Sequence, residues 1–132
     1  TFKPYLGSGI VTWLPSTQRS KAPLGKLVTS LFKKRFDARE LLRFTGEMGP
    51  ERRKPFLGRF EVIDDVADKN VLIVDDLWTS GAHVFSAAAS LKKAGAAQVC
   101  ALTLGRFIRR EHYPEYVDDL AEEFSWAWPP MA

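Results

Sequence analysis

Transition-metal and thiol chemistry find little to work with here: 132 residues include one cysteine, Cys100, and two histidines, His83 and His112. A single thiol closes no internal disulfide, which fits a reducing compartment, and neither histidine belongs to the Cys/His cluster that a structural zinc ion needs. Cys100 lies in the apolar run VCALTL, where core packing is the expectation. No apolar stretch approaches the ~20 residues of a membrane span, so no membrane partner is expected, and no signal peptide opens the chain. The first residue is Thr1 rather than Met, as in a piece of a longer protein, and cytoplasmic is the default location. Three nucleotide or hydrolase signatures are missing as well. There is no G-x-x-x-x-G-K followed by Ser or Thr, no G-x-G-x-x-G after a strand, and no G-x-S-x-G. A P-loop, a dinucleotide fingerprint and a nucleophile elbow are thereby excluded.

Bulk composition is that of a globular protein, with 45% hydrophobic and 27% charged residues in a length suited to one domain with its own core. The net charge of +3 hides a division. Residues 1–60 carry 13 Lys and Arg against 4 Asp and Glu, whereas residues 61–132 carry 6 against 12. A basic first half suits an anionic partner, phosphates or nucleic acid; two oppositely charged solvated faces are the plainer alternative.

Hydrophobic periodicity divides the chain into alternating strands and helices. Ile10–Leu14 is a β-branched and aromatic strand ended by Pro15. Ser16, Thr17, Gln18 and Arg19 then open a polar, basic loop, either a solvated turn or a second anion seat. Leu24, Leu27, Val28, Leu31 and Phe32 repeat at helical spacing, which predicts an amphipathic helix from Pro23 to Lys34. Asp37 reads as the N-cap of a second short helix through Arg43. Residues 46–59 hold Gly46, Gly49, Pro50 and Pro55 beside Arg52, Arg53 and Lys54, the composition of a loop that closes over an anion or of a plain surface loop. Phe60–Ile63 is a short strand, 82–94 an Ala-rich helix closed by Gly95, and Gln98–Leu104 another buried strand. The unit from 71 to 104 is thus expected to be a βαβ with a right-handed crossover. A tail follows, with an acidic helix around 116–124 and an aromatic end containing Trp126 and Trp128. It should dock on the chain's own core or, alternatively, on a second copy in a homodimer.

The most informative stretch lies at the centre of this pattern. Val71, Leu72, Ile73 and Val74 form a continuous apolar run, as in a parallel strand buried on both faces, and lead into Asp75 and Asp76. Leu77 and Trp78 precede a hydroxyl-and-glycine turn, Thr79-Ser80-Gly81-Ala82, just before a helix. Carboxylates at the carboxyl end of such a strand suit sugar hydroxyls, and amides at a helix N-terminus suit phosphate. A phosphorylated sugar is the expected ligand.

Val71-Leu72-Ile73-Val74-Asp75-Asp76-Leu77-Trp78-Thr79-Ser80-Gly81 resembles, at every position, the 5-phosphoribosyl 1-pyrophosphate (PRPP) motif of the type I phosphoribosyltransferases. That motif is four apolar residues, two acids, an apolar and a variable residue, then two hydroxyl residues and Gly. Within the class, Arg35-Phe36-Asp37-Ala38-Arg39-Glu40-Leu41-Leu42 and Arg53-Lys54-Pro55-Phe56 echo the ComF-like branch related to competence proteins. The likeness covers most of residues 9–107. It implies an α/β fold, a mostly parallel central sheet flanked by helices, Rossmann-like without a dinucleotide fingerprint.

The resemblance also implies roles. Asp75 and Asp76 would be the catalytic pair, holding the ribose hydroxyls and helping to organise Mg2+ through PRPP. Thr79, Ser80, Gly81, Ala82 and His83 would wrap the 5-phosphate. By position and composition, Ser16, Thr17, Gln18 and Arg19 correspond to the pyrophosphate loop, and 46–59, with Arg52, Arg53 and Lys54, to the flexible loop. The implied activity is that of a glycosyltransferase of nucleotide metabolism, moving the phosphoribosyl group to a nitrogen acceptor with release of pyrophosphate. His83 replaces the Thr of many members, and Thr79 stands where 6-oxopurine enzymes carry an acid, so hypoxanthine or guanine is not the expected acceptor. The hood segment that selects the base is short or missing, and the acceptor stays unidentified. The alternative is a non-catalytic module that senses PRPP or nucleotides, linked to nucleic-acid uptake or binding. Direct single-strand binding through Lys33, Lys34, Arg35 and Arg52–Lys54 has few aromatics to support stacking.

Overall fold

The computed structural model of the protein describes residues 9–17 and 24–106. Gln18 and Arg19 of the first loop and the tail from 107 onward lie outside the described residues. Among the described residues, six strands and two α-helices are formed: β1 (Ile10–Trp13), α1 (Leu24–Phe32), β2 (Asp37–Ala38), β3 (Leu42–Phe44), β4 (Phe60–Val62), β5 (Asn70–Trp78), α2 (Ala82–Lys93) and β6 (Gln98–Arg106). A 3₁₀ turn, Leu57–Arg59, precedes β4. The main sheet is four-stranded in the order β2-β1-β5-β6, with every neighbouring pair parallel. β3 and β4 form a separate antiparallel pair. No helix among the described residues is long and apolar enough to cross a membrane.

The alternation of side chains along a strand divides the core into two layers. Val71 and Ile73 of β5 join Ile10, Val84, Ala87 and Leu91 on one face, where α2 and the β3–β4 hairpin pack. Leu72 and Val74 join Val11, Leu24 and Val28 on the other, beneath α1. The run Val71–Val74 is apolar at consecutive positions because both faces of β5 are covered: each of the four is at most 2% exposed. The protein is therefore α/β, a parallel sheet flanked by helices.

Two local expectations are corrected. The segment from Asp37 to Arg43 is not a helix. Asp37 and Ala38 pair with Ile10 and Val11 as an edge strand, and the Arg39 amide donates to the Val11 carbonyl at 3.0 Å. Leu41 and Leu42 are both fully buried, and the Leu41 amide donates to Thr12 Oγ1 at 3.1 Å. Strand pairing with β1 and β4, together with burial of two leucines, outweighs a helical preference of a few tenths of a kcal/mol per residue. Nor is β6 the buried strand expected: its burial is partial, and Cys100 is exposed rather than packed in the core. Cys100 pairs with Leu72 and so shares the α1 face, but α1 packs over β1, β2 and β5.

Candidate functional site

β1 proceeds through α1 to β2 on one side of the sheet, and β5 proceeds through α2 to β6 on the other. The two connections leave in opposite directions and cover opposite faces. The strand order therefore reverses between β1 and β5. In open α/β sheets the crevice beyond the carboxyl ends of two such strands is where ligands bind. β5 makes that crevice asymmetric. Its pairing with β1 stops at Val74, with a last bond from the Leu14 amide to the Val74 carbonyl at 2.9 Å, while its pairing with β6 continues to Trp78 and Arg106. Asp75 and Asp76 thus sit inside β5, on the stretch that has outrun β1.

Alternation then separates the two carboxylates. Asp75 continues the Val71–Ile73 face and is 9% exposed, whereas Asp76 points to the opposite side and is exposed. Asp75 Oδ1 accepts the Asp76 amide at 2.9 Å. Burial raises the Asp75 pKa to about 6, with the neighbouring Asp76 carboxylate adding to the rise and the amide bond opposing it. Such a carboxyl carries a proton at mildly acidic pH and gains most from a bound donor or cation that favours its anion.

Three residues further on the chain turns into α2. Gly81 takes the left-handed conformation (φ 76°), and a β-carbon there would lie 2.5 Å from the Trp78 ring. Glycine is required on both counts. Ser80 Oγ accepts the Ala82 amide at 3.3 Å, and Trp78 and Phe85 stack edge to face, ring centres 5.6 Å apart, over the turn. The first turn of α2 carries no acidic residue, so the positive end of the helix dipole keeps its full attraction for an anion. Thr79 and Ser80 are exposed and His83 is half-buried on that first turn.

The remaining expected residues distribute unevenly. Ser16 and Thr17 follow β1 at the same end of the sheet, and Ser16 lines a cleft of about 690 Å³ together with Trp13, Pro15, Lys26 and Glu40. Arg52, Arg53 and Lys54 are exposed on the loop joining β3 to β4, with Lys54 Nζ paired to Glu51 at 2.8 Å.

Sequence reasoning missed how that loop is held. Arg59 is fully buried; its Nη2 donates to the carbonyls of Met48 and Lys54 (3.0 Å), with a longer bond to Arg52 (3.5 Å), and its Nη1 lies 3.4 Å from His83 Nδ1. Ser86 Oγ accepts the Phe56 amide at 2.9 Å, and Ser90 Oγ reaches the carbonyls of Leu57 (3.1 Å) and Phe60 (2.9 Å). His83, Ser86 and Ser90 recur at i, i+3 and i+7, a polar seam beside the apolar seam of Val84, Ala87 and Leu91. Two serines at helical spacing in an Ala-rich helix were the available signal. The His83 pKa lies below its ordinary value, first through burial and then through the positive charges of Arg59 and Arg52.

No protein-family model matches the chain, and no curated protein matches it.

Proposed function

We propose that the protein is a phosphoribosyltransferase of the type I class, binding PRPP with Mg2+ and passing the phosphoribosyl group to a nitrogen acceptor with release of pyrophosphate. One observation carries most of the support. An acidic pair and a phosphate-type turn, adjacent in sequence, lie at the carboxyl end of β5, at the point where the strand order reverses. Hydroxyl-binding and phosphate-binding groups are then three to four residues apart along one strand and turn, a spacing suited to one sugar phosphate.

In this scheme the amides and hydroxyls of Thr79–His83 hold the 5-phosphate against the helix dipole. Asp75 and Asp76, on opposite faces of β5, accept hydrogen bonds from the two ribose hydroxyls, which fixes C1 relative to the crevice. Ser16 and Thr17 stand on the β1 side, where the pyrophosphate end would lie. Positioning and electrostatic stabilisation of the departing pyrophosphate supply the rate, because charge accumulates on the leaving group as C1 becomes oxocarbenium-like.

The donor set suits a substrate-borne ion: no cluster of three or more His, Cys, Asp or Glu able to hold a metal occurs among the described residues. Mg2+ commonly binds through one or two carboxylates plus substrate phosphates. Asp75 and Asp76 would hold it in that way, and when bound it would neutralise pyrophosphate charge.

Isothermal titration of PRPP with Mg2+, followed by pyrophosphate release across purine, pyrimidine and amine acceptors, tests the assignment. Binding with release for one acceptor class is the expected result. Binding with no release for any acceptor would assign the chain to PRPP sensing instead. An absence of binding, with Asp75→Asn behaving like wild type, would reject both.

A further inference from the structure

Arg59 is 0% exposed, yet it forms no ion pair among the described residues, and its Nε has no hydrogen-bond partner there. A guanidinium removed from water and compensated only by neutral acceptors is costly, and an anion nearby relieves that cost. Its neighbours explain what it holds. Nη2 gathers the carbonyls of Met48, Arg52 and Lys54, which fixes the path of the β3–β4 loop. Nη1 faces His83 Nδ1 at 3.4 Å. Arginine can only donate, so Nδ1 must accept and the ring proton must sit on Nε2. That leaves Nε2–H as the donor of His83, the second residue of α2.

We propose that Arg59 is a positioning residue that couples an anion at the first turn of α2 to the order of the 46–56 loop. Resting on the assignment of Thr79–His83 as a phosphate seat, the coupling runs in two directions from one guanidinium. Toward the seat, Arg59 fixes His83 as a neutral Nε2–H donor and adds positive field behind it. Toward the loop, it holds three carbonyls, and Ser86 holds the Phe56 amide from the same helix. A phosphomonoester dianion seated at α2 supplies the missing negative charge, strengthens the Arg59 clamp, and so orders the loop carrying Arg52–Lys54. The phosphate end of a ligand, rather than its leaving group, would then set the state of the loop.

The test uses inorganic phosphate, ribose 5-phosphate and PRPP with Mg2+ as probes. Amide exchange of residues 46–56 reports the loop, and ¹⁵N spectra of the imidazoles report the tautomer, with His112→Gln assigning the His83 signals. Ribose 5-phosphate is expected to slow loop exchange about fivefold or more in the wild type, within the usual range of coupling between sites. Arg59→Met should abolish the slowing and lose the Nε2–H tautomer, and Arg59→Lys should recover part of both. Unchanged slowing and tautomer in a folded Arg59→Met would overturn the coupling. Should Arg59→Met not fold, His83→Ala keeps the clamp but removes its link to the seat. It should bind ribose 5-phosphate about tenfold more weakly, a loss of about 1.4 kcal/mol, with no slowing of the loop; persistent slowing overturns the proposal. PRPP turnover with a loop indifferent to every probe would refute the coupling alone. Slowing by ribose 5-phosphate, with PRPP binding no tighter, would refute the transferase assignment alone.

Discussion

Asp75→Asn should stabilise the ligand-free protein while destroying the site. Burial holds the Asp75 carboxyl at about 6 against an ordinary value of 3.8. The folded chain therefore binds a proton that the unfolded chain has released between about pH 4 and pH 6, so stability falls as pH rises through that window and stays lower above it. A rise of about two pH units corresponds to about 3 kcal/mol. The carboxyl sits at the edge of the core beside the Asp76 charge, so solvent screening and that coupling remove part of this, and an asparagine amide brings two N–H donors of its own to satisfy. Its oxygen can still accept the Asp76 amide. The net expectation is a gain of about 1–3 kcal/mol above pH 6, shrinking to near zero below pH 4. Denaturant unfolding of both proteins from pH 3.5 to 8, in phosphate-free buffer with chelator, measures the difference directly. Asp68→Asn, at an exposed aspartate on the turn before β5, is the control and should stay within about 0.5 kcal/mol. A difference for Asp75→Asn that is independent of pH, or a loss of stability at pH 7.5, would refute the reasoning. The gain would mark Asp75 as a place where the fold gives up stability for a charge it uses elsewhere.

Other outcomes follow from single contacts. Gly81→Ala should cost about 1–3 kcal/mol, from the positive φ and the 2.5 Å approach to the Trp78 ring, and thermal melts would show it together with weaker phosphate binding. Ser90→Ala removes the hydroxyl shared by the Leu57 and Phe60 carbonyls and should cost about 1–2 kcal/mol in urea unfolding. His83 has a folded pKa below its ordinary value, so the folded chain resists a proton that the unfolded chain accepts. Its contribution is present above about pH 6.5 and is lost as pH falls below it, and His83→Gln should lose that acid sensitivity in the same unfolding series.

The alternating elements were legible because each has a local cause. Val71–Val74 is uniformly apolar, as a strand covered on both faces must be, and Leu24, Val28 and Phe32 recur at helical spacing. Asp75, Asp76 and the Thr79–Ala82 turn were legible for the same reason: their spacing along one strand and turn is a property of the chain alone. Asp37–Arg43 departs from its expected helix because its local signals favour a helix weakly, and pairing with Ile10, Val11, Val62 and Glu61 decides otherwise. Cys100 was misread because exposure depends on how far α1 reaches across the sheet, a distance no local pattern encodes.

By itself, then, the sequence determined where the acidic pair falls along its strand and that a helix would begin after the Gly81 turn. Three things were left to tertiary structure. The reversal of strand order between β1 and β5 opens a crevice beyond their carboxyl ends. The opposite faces of Asp75 and Asp76 bury one carboxyl and expose its neighbour. Burial of Arg59 joins a loop to the first turn of α2. Each is a relation between segments tens of residues apart, set by packing and desolvation, and these act only once the sheet has formed.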